Sequence, residues 1–185
     1  MSTSLESDSQ LADEIRRGNG AAFDRLFRKY YSPLCDFVMR IVKSHDATED
    51  IVQEVFARLW IDRSDWIPEI SVRAYLHKAV RNTALNYLKH LQVITSWSSK
   101  QPETYSNDVV EEVANRELLS ALQEAIEQLP DGSRTIFLLS REEGLTYTEI
   151  ADVLNISKKT VETQMGRALK TLRRHVLEPA VKPRY

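Results

Sequence analysis

The residues best equipped for chemistry lie between Lys158 and Arg174, where Lys158, Lys159, Thr160, Thr163, Gln164, Arg167, Lys170, Arg173 and Arg174 supply cations and hydrogen-bonding groups at helical spacing. Their chemistry is non-covalent: ion pairs to phosphates and hydrogen bonds to base edges. At about 100° per residue, Lys159, Thr163, Arg167, Lys170 and Arg174 share one side of a helix, while Val161, Met165, Ala168, Leu169 and Leu172 share the other. Lys158 and Lys159 stand in the first turn, where the helix dipole disfavours cations by roughly 0.3–1 kcal/mol each. Phosphates or base edges explain that placement better than local stability does.

The elements that must position these groups are legible just upstream. Thr146 and Glu149 have the spacing of a capping box opening a first helix, whose apolar side is Ile150, Ala151 and Leu154. Asn155 follows, a residue that tolerates the left-handed backbone of a sharp turn, and Ser157 can cap a second helix. A helix, a tight turn and a second helix with a basic outer face form a DNA reader. In such a unit the N-terminal part of the second helix enters the major groove, which assigns Lys159, Thr160, Thr163, Gln164 and Arg167 to the groove. Lys170, Arg173 and Arg174 fall farther along and are assigned to phosphates, which position the protein without reading sequence. Glu162 accepts from a cytosine amino group or pairs with Lys158 or Lys159. The bland alternative is a solvated basic face on a core helix.

Covalent catalysis has little support in the sequence. His45, His77, His90 and His175 lack metal-ligand spacing, and no glycine-rich loop is present to cradle a phosphate. A helical, magnesium-dependent nucleotide hydrolase could use clustered carboxylates such as Glu49, Asp50 and Glu54, but no second acidic cluster with matching helical spacing is present. The single Cys35 excludes an intramolecular disulfide and lies in an apolar helical pattern, which suits a buried thiol in a reducing compartment. No segment approaches a membrane span of about 20 apolar residues, and MSTSLESDSQ lacks the regions of a signal peptide, so a cytoplasmic protein with no membrane insertion is expected. Over 185 residues the net charge is only −2, yet charge is sorted. Acidic residues gather at the N-terminus and between Glu103 and Glu127, and basic ones gather on the presumed DNA helices.

The rest of the chain predicts an all-α protein. Phe23, Leu26, Phe27, Tyr30, Leu34, Phe37, Val38 and Ile41 mark a long helix over about 21–43, with Pro33 a kink or break. Asp46 and Glu49 read as a capping pair for a second helix that turns Ile51, Val52, Val55, Phe56, Leu59 and Trp60 inward. Its other face, Asp50, Gln53, Glu54, Ala57 and Ile61, mixes acceptors with small or apolar groups. That mixture suits either a docking surface or a solvated polar face. A third helix from Ser71 to about His90 contains no acidic residue. Its outward Lys78, Arg81, Asn82, Leu85 and Lys89, with nearby Trp66 and Tyr75, suit single-stranded bases better than a duplex. Beyond Leu91 the apolar period fails, and TSWSSKQPETYSND reads as a flexible linker. Periodicity resumes near Val110 and runs to Leu129. A helix from Ser133 to about Glu142 then leads into the helix-turn-helix.

This order of segments resembles the extracytoplasmic-function sigma factors, small RNA polymerase sigma factors that keep only the second and fourth conserved regions of their family. The resemblance rests on AAFDRLFRKYYSPLCDFVMRIV (21–42), DATEDIVQEVFARLW (46–60), VRAYLHKAVRNTALNYLKH (72–90) and LPDGSRTIFLLSREEGLTYTEIADVLNISKKTVETQMGRALKTLRR (129–174). It implies two small helical domains, region 2 over 1–92 and region 4 over 110–178, joined by a flexible linker at 93–109 and followed by a tail at 179–185. It also implies that Asp50, Gln53, Glu54 and Ala57 dock on the coiled coil of the largest polymerase subunit. Trp66, Lys78, Arg81, Asn82, Asn86 and Lys89 would hold the melted minus-10 strand. Lys158, Lys159, Thr160, Glu162, Thr163, Gln164, Arg167, Lys170, Arg173 and Arg174 would serve the minus-35 duplex. Core RNA polymerase, promoter DNA and an anti-sigma factor are the implied partners, with no cofactor, metal, catalytic residue or small-molecule substrate. Asn155 stands where a glycine often sits in such turns, and Asn86 where many relatives have Asp. The segment over 110–129 and the long recognition helix loosely resemble the iron-transport subgroup. A stand-alone helix-turn-helix regulator is the competing reading, although the N-terminal half offers it neither a receiver sheet nor dimerisation heptads.

Overall fold

Apolar residues recurring at three- and four-residue steps favour helices throughout. In the computed structural model, which describes residues 7–95 and 116–177, those residues form eight α-helices and no strand. The chain divides into two compact units between Tyr105 and Ser106. Most of the expected linker, residues 110–115 and the expected tail lie outside the described residues.

The first unit comprises α1 (Asp8–Arg16), α2 (Gly20–Val42), α3 (His45–Ile61) and α4 (Val72–Thr95). Helix α1 escaped the periodicity reading, although Ser7 and Gln10 carry its signal. Ser7 Oγ accepts the Gln10 amide at 3.3 Å, and Gln10 Oε1 accepts the Ser7 amide at 2.9 Å. Pro33 does not break α2, which remains one helix. The cap of α3 is Ser44 rather than the expected Asp46 and Glu49 pair: the Ser44 hydroxyl accepts from the Ala47 amide, and Glu49 instead faces His45 at 3.8 Å. Helix α4 continues to Thr95, past the expected end near His90 and into the first residues of the expected linker. Leu88, Leu91 and Ile94 sustain the three-residue step there.

The core of this unit joins Ile15 of α1, Leu26, Leu34 and Val38 of α2, Val52 and Phe56 of α3, and Leu76, Val80 and Ala84 of α4, all essentially inaccessible. Full burial of each large side chain is worth roughly 1.5–3 kcal/mol. His77 is buried among them, with its ring centroid 5.3 Å from that of Phe37 and Nδ1 3.0 Å from the Arg73 carbonyl oxygen.

The second unit comprises α5 (Arg116–Glu127), α6 (Asp131–Arg141), α7 (Tyr147–Leu154) and α8 (Lys158–Leu177), and α8 packs against each of the other three. Val161, Met165, Ala168 and Leu172 form its buried stripe as expected. Leu169 does not join them and is 41% exposed, because the stripe is narrower than the expected five-residue face and Leu169 falls at its edge. Arg134 closes the preceding turn, donating from Nε to the Ile126 carbonyl at 3.0 Å and from Nη2 to the Leu129 carbonyl at 2.8 Å. Carbonyls at the end of α5 that lack helical partners are thereby satisfied by a guanidinium.

Burial pushes His77 down from 6.5 to about 4, against the opposing influence of the Arg73 carbonyl. Between those values the unfolded chain binds a proton that the native chain does not. Stability is therefore full above pH 6.5 and falls as the pH drops toward 4, by up to about 3 kcal/mol. Denaturant titrations followed by tryptophan fluorescence across this window should show the loss, and His77→Gln should flatten it. An equal slope in the variant would assign the loss to other groups.

Candidate nucleic-acid interface

Helix α8 is presented by its turn. Thr146 and Glu149 form the expected capping box, with the Thr146 amide donating to Glu149 Oε2 at 2.9 Å and the Glu149 amide to Thr146 Oγ1 at 3.3 Å. At the other end of α7, Asn155 adopts φ 53° and ψ 51°. The Ile156 amide reaches the Ala151 carbonyl at 3.0 Å and the Asn155 amide reaches that of Asp152 at 3.3 Å, the paired bonds of a Schellman ending. Ser157 Oγ then accepts the Thr160 amide at 3.1 Å and starts α8. A helix end and a helix start are thus fixed within a few residues, which sets the direction in which α8 leaves.

With one stripe of α8 committed to the core, Lys158, Lys159, Thr160, Glu162, Thr163, Arg167, Lys170, Arg173 and Arg174 are all exposed. Among the described residues, no carboxylate forms an ion pair with any of these six cations, and Glu162 pairs with neither Lys158 nor Lys159. Gln164 departs from the expected groove set. It is half-buried, and its Oε1 accepts from the buried Ser133 hydroxyl at 2.6 Å, because it borders the core stripe and meets a polar group that needs a partner. Thr163 Oγ1 donates to the Lys159 carbonyl at 2.8 Å, which leaves its oxygen able to accept.

In the first unit, Asn82, Asn86 and Lys89 are exposed on α4, and Lys78 and Arg81 are half-buried. Partial burial lowers the Arg81 pKa. The Trp66 expectation needs correction. Its side chain is 5% exposed, packed on Tyr75 with ring centroids 5.6 Å apart, so the ring is not open to a base in this conformation. The neighbouring Ile67 lies outside, 69% exposed. Ile67 is the loop residue that the sequence reading missed. Ser71 caps α4 by accepting the Ala74 amide at 3.2 Å.

On α3, Asp50, Gln53, Glu54 and Ala57 share an exposed face that ends at Ile61, 71% exposed. Half-buried aromatics border it: Phe23 lies 5.0 Å from Trp60 between centroids, and Phe27 lies 4.9 Å from Phe56 and 4.8 Å from Tyr31. Glu54 pairs with Arg58, and the Tyr31 hydroxyl lies within hydrogen-bonding reach of Gln53. Among the described residues, no group of three or more His, Cys, Asp or Glu side chains could hold a metal ion, and no helix is long and apolar enough to cross a membrane.

The left-handed turn yields a test. Replacing Asn155 with Val should cost the second unit about 1–2 kcal/mol, whereas Gly at this position should cost nothing or stabilise slightly. Urea denaturation of the three proteins checks it, and an undiminished Val variant would remove the turn from the account.

Comparison with known proteins follows the same division. The model of sigma-70 region 2 matches residues 26–93, and that of sigma-70 region 4 matches residues 119–172. The chain is 25% identical to the RNA polymerase sigma-H factor of Pseudomonas aeruginosa over 96% of this chain and 95% of that one. It is 26% identical to the ECF RNA polymerase sigma-E factor of Escherichia coli K12, over 90% and 92%. These relatives are of the sigma-H and sigma-E kinds. The fold is similar to that of CnrH, solved in complex with the cytosolic domain of CnrY (TM-score 0.60, 23% identity, 95% of this chain and 100% of that one). It is likewise similar to that in the co-crystal of the sigma factor RpoE with the anti-sigma factor NepR from Bartonella quintana (TM-score 0.64, 17% identity, 85% and 98%). Two family matches in the order region 2 then region 4, spanning most of the chain, show that it belongs to the sigma-70 family and is an alternative sigma factor of the extracytoplasmic-function kind, acting in transcription initiation.

Proposed function

We propose that the two units divide the work of initiation between a duplex-reading surface on α8 and a strand-holding surface on α4, with α3 joining the protein to core RNA polymerase. The observation that carries this reading is the exposed cation row of α8, which no described carboxylate neutralises and which a capped turn presents outward. Lys158, Lys159, Thr160, Glu162, Thr163 and Arg167 meet the minus-35 element, with Lys170, Arg173 and Arg174 on its phosphates. Gln164 takes part by bracing α8 through Ser133. Lys78, Arg81, Asn82, Asn86 and Lys89 hold the separated minus-10 strand, beside a loop in which Ile67 is outward and Trp66 serves as its anchor. Asp50, Gln53, Glu54 and Ala57 dock on the coiled coil of the largest polymerase subunit.

In this scheme the protein performs no covalent chemistry. Extracting bases from the stack costs a few kcal/mol, which stacking and phosphate contacts must offset. Two modest DNA sites become a selective pair once polymerase fixes their spacing, so the isolated protein binds promoter DNA poorly. The domain division is region 2 over 1–92, a linker at 93–109, region 4 over 110–178 and a tail at 179–185, and the protein acts in the cytoplasm. An anti-sigma factor restrains it, as NepR pairs with the sigma factor RpoE in the Bartonella quintana co-crystal.

In-vitro transcription from fragmented genomic DNA, with core polymerase and with or without this protein, tests the reading. Protein-dependent starts sharing two upstream boxes are expected; no dependence would remove it. Arg167→Ala should weaken holoenzyme binding at the minus-35 element by roughly 1–3 kcal/mol and spare polymerase affinity. Combined Asp50→Lys and Glu54→Lys should do the reverse, abolishing polymerase capture while unit folding, followed by circular dichroism, is retained. Normal capture by that double variant would place the docking face elsewhere.

A further inference from the structure

Three helices of the first unit meet at one hydroxyl. Tyr30 of α2 is 2% exposed, and its Oη donates to Oδ2 of Asp8 at 2.5 Å, in the first turn of α1. Asp8 Oδ1 pairs with Lys29 Nζ, also at 2.5 Å. From α4, Arg73 Nε donates to the same Tyr30 oxygen at 3.4 Å, with the guanidinium carbon 6.0 Å from the tyrosine ring centroid. Burial, reinforced by the Asp8 carboxylate, pushes the Tyr30 hydroxyl up to about 12, so it remains a neutral donor.

The position of Arg73 gives this arrangement its meaning. It is the second residue of α4, directly after the Ser71 cap that ends the 62–71 loop, and its carbonyl lies against His77 Nδ1 at 3.0 Å. Two residues further along α4, Tyr75 carries the ring on which Trp66 packs. At its other end the loop is tied by Arg63, which donates to the Trp60 carbonyl at 2.7 Å and lies over the Trp60 ring. The start of α4 is thus the point at which the loop and the strand-holding face are referenced to the rest of the unit.

We propose that Tyr30 is a positioning residue, coupling α1 through Asp8 to Arg73 and thereby fixing the start of α4 for capture of the separated promoter strand. Helix α1 then has a role in promoter opening through its bond to Tyr30. Pre-organisation of this kind lowers the ordering cost at the moment of capture. The proposal rests on the assignment of α4 to the separated strand.

Full-length Tyr30→Phe and Asp8→Asn proteins, reconstituted with core polymerase, test it. Phe keeps the ring and its packing and removes only the oxygen shared by Asp8 and Arg73. Permanganate reactivity of the promoter should fall about tenfold for Tyr30→Phe, as expected for loss of hydrogen bonds to charged partners, and less for Asp8→Asn. Polymerase affinity should stay within about twofold, and binding to a pre-melted fork should fall with opening. Unchanged opening, or polymerase affinity and unfolding midpoint falling in step with it, would overturn the proposal. Lys78→Ala with Lys89→Ala separates the two failures. If that variant opens promoters normally, the assignment of α4 is wrong and the coupling falls with it; if it is impaired while Tyr30→Phe is not, the coupling alone is wrong.

Discussion

Burial of the Val161, Met165, Ala168 and Leu172 stripe is the interaction on which the second unit depends. Helices α5, α6 and α7 all pack on α8, so the helix that carries the cations is also the helix that makes the core. Apolar burial of that size fixes the rotation of α8 about its axis, and once rotation is fixed Lys159, Thr163, Arg167 and Lys170 fall on its exposed side. Repulsion among them, and between the first two lysines and the helix dipole, is a cost that no carboxylate neutralises among the described residues. A surface of this kind is most favourable when phosphates arrive.

The first unit solves a different problem. It must offer a rigid polar face on α4 and a separate mixed face on α3, and both helices share one apolar centre with α2. Neutral His77 within that centre is tolerated because its ring packs on Phe37 and its Nδ1 meets the Arg73 carbonyl. The cost of charging it appears only in acid. Half-buried aromatics along α2 and α3 soften the boundary between core and surface there. A face of carboxylates beside exposed ring edges differs chemically from the cation row of α8, and the two suit different partners.

Much of this was legible in the sequence where one residue type had one job. The Thr146 and Glu149 box, the left-handed Asn155 and the Ser157 cap are local bonds within a few residues, and all three form as their types require. The alternation of buried and exposed residues along α3 likewise follows helical angle. Legibility failed where a tertiary partner decided the outcome. Gln164 turns toward Ser133, which is distant in sequence, and Arg134 completes α5 from the next helix. Ser44 outcompeted Asp46 and Glu49 as the cap of α3, and the Ser7 and Gln10 pair opened a helix too short to show a strong period. The positions of the exposed cations follow from helix geometry; the DNA roles proposed for them rest on the family and on charge.

Trp66 and Ile67 show why the loop before α4 resists a reading from residue type. A tryptophan beside a basic helix suggests a stacking platform, yet an isolated indole in a short loop gains more by covering apolar surface than by waiting in water. Packing on Tyr75 gives the loop a fixed middle, the Ser71 cap and Arg63 give it fixed ends, and Ile67 is exposed on that frame. An exposed branched aliphatic side chain held on such a frame offers shape without hydrogen-bonding preference. Polar groups are supplied separately, by Lys78, Arg81 and Asn82 on α4, the helix that follows the loop. The anchor, the outward residue and the polar face behind them are separate devices, so the loop can vary in sequence while α4 keeps its place.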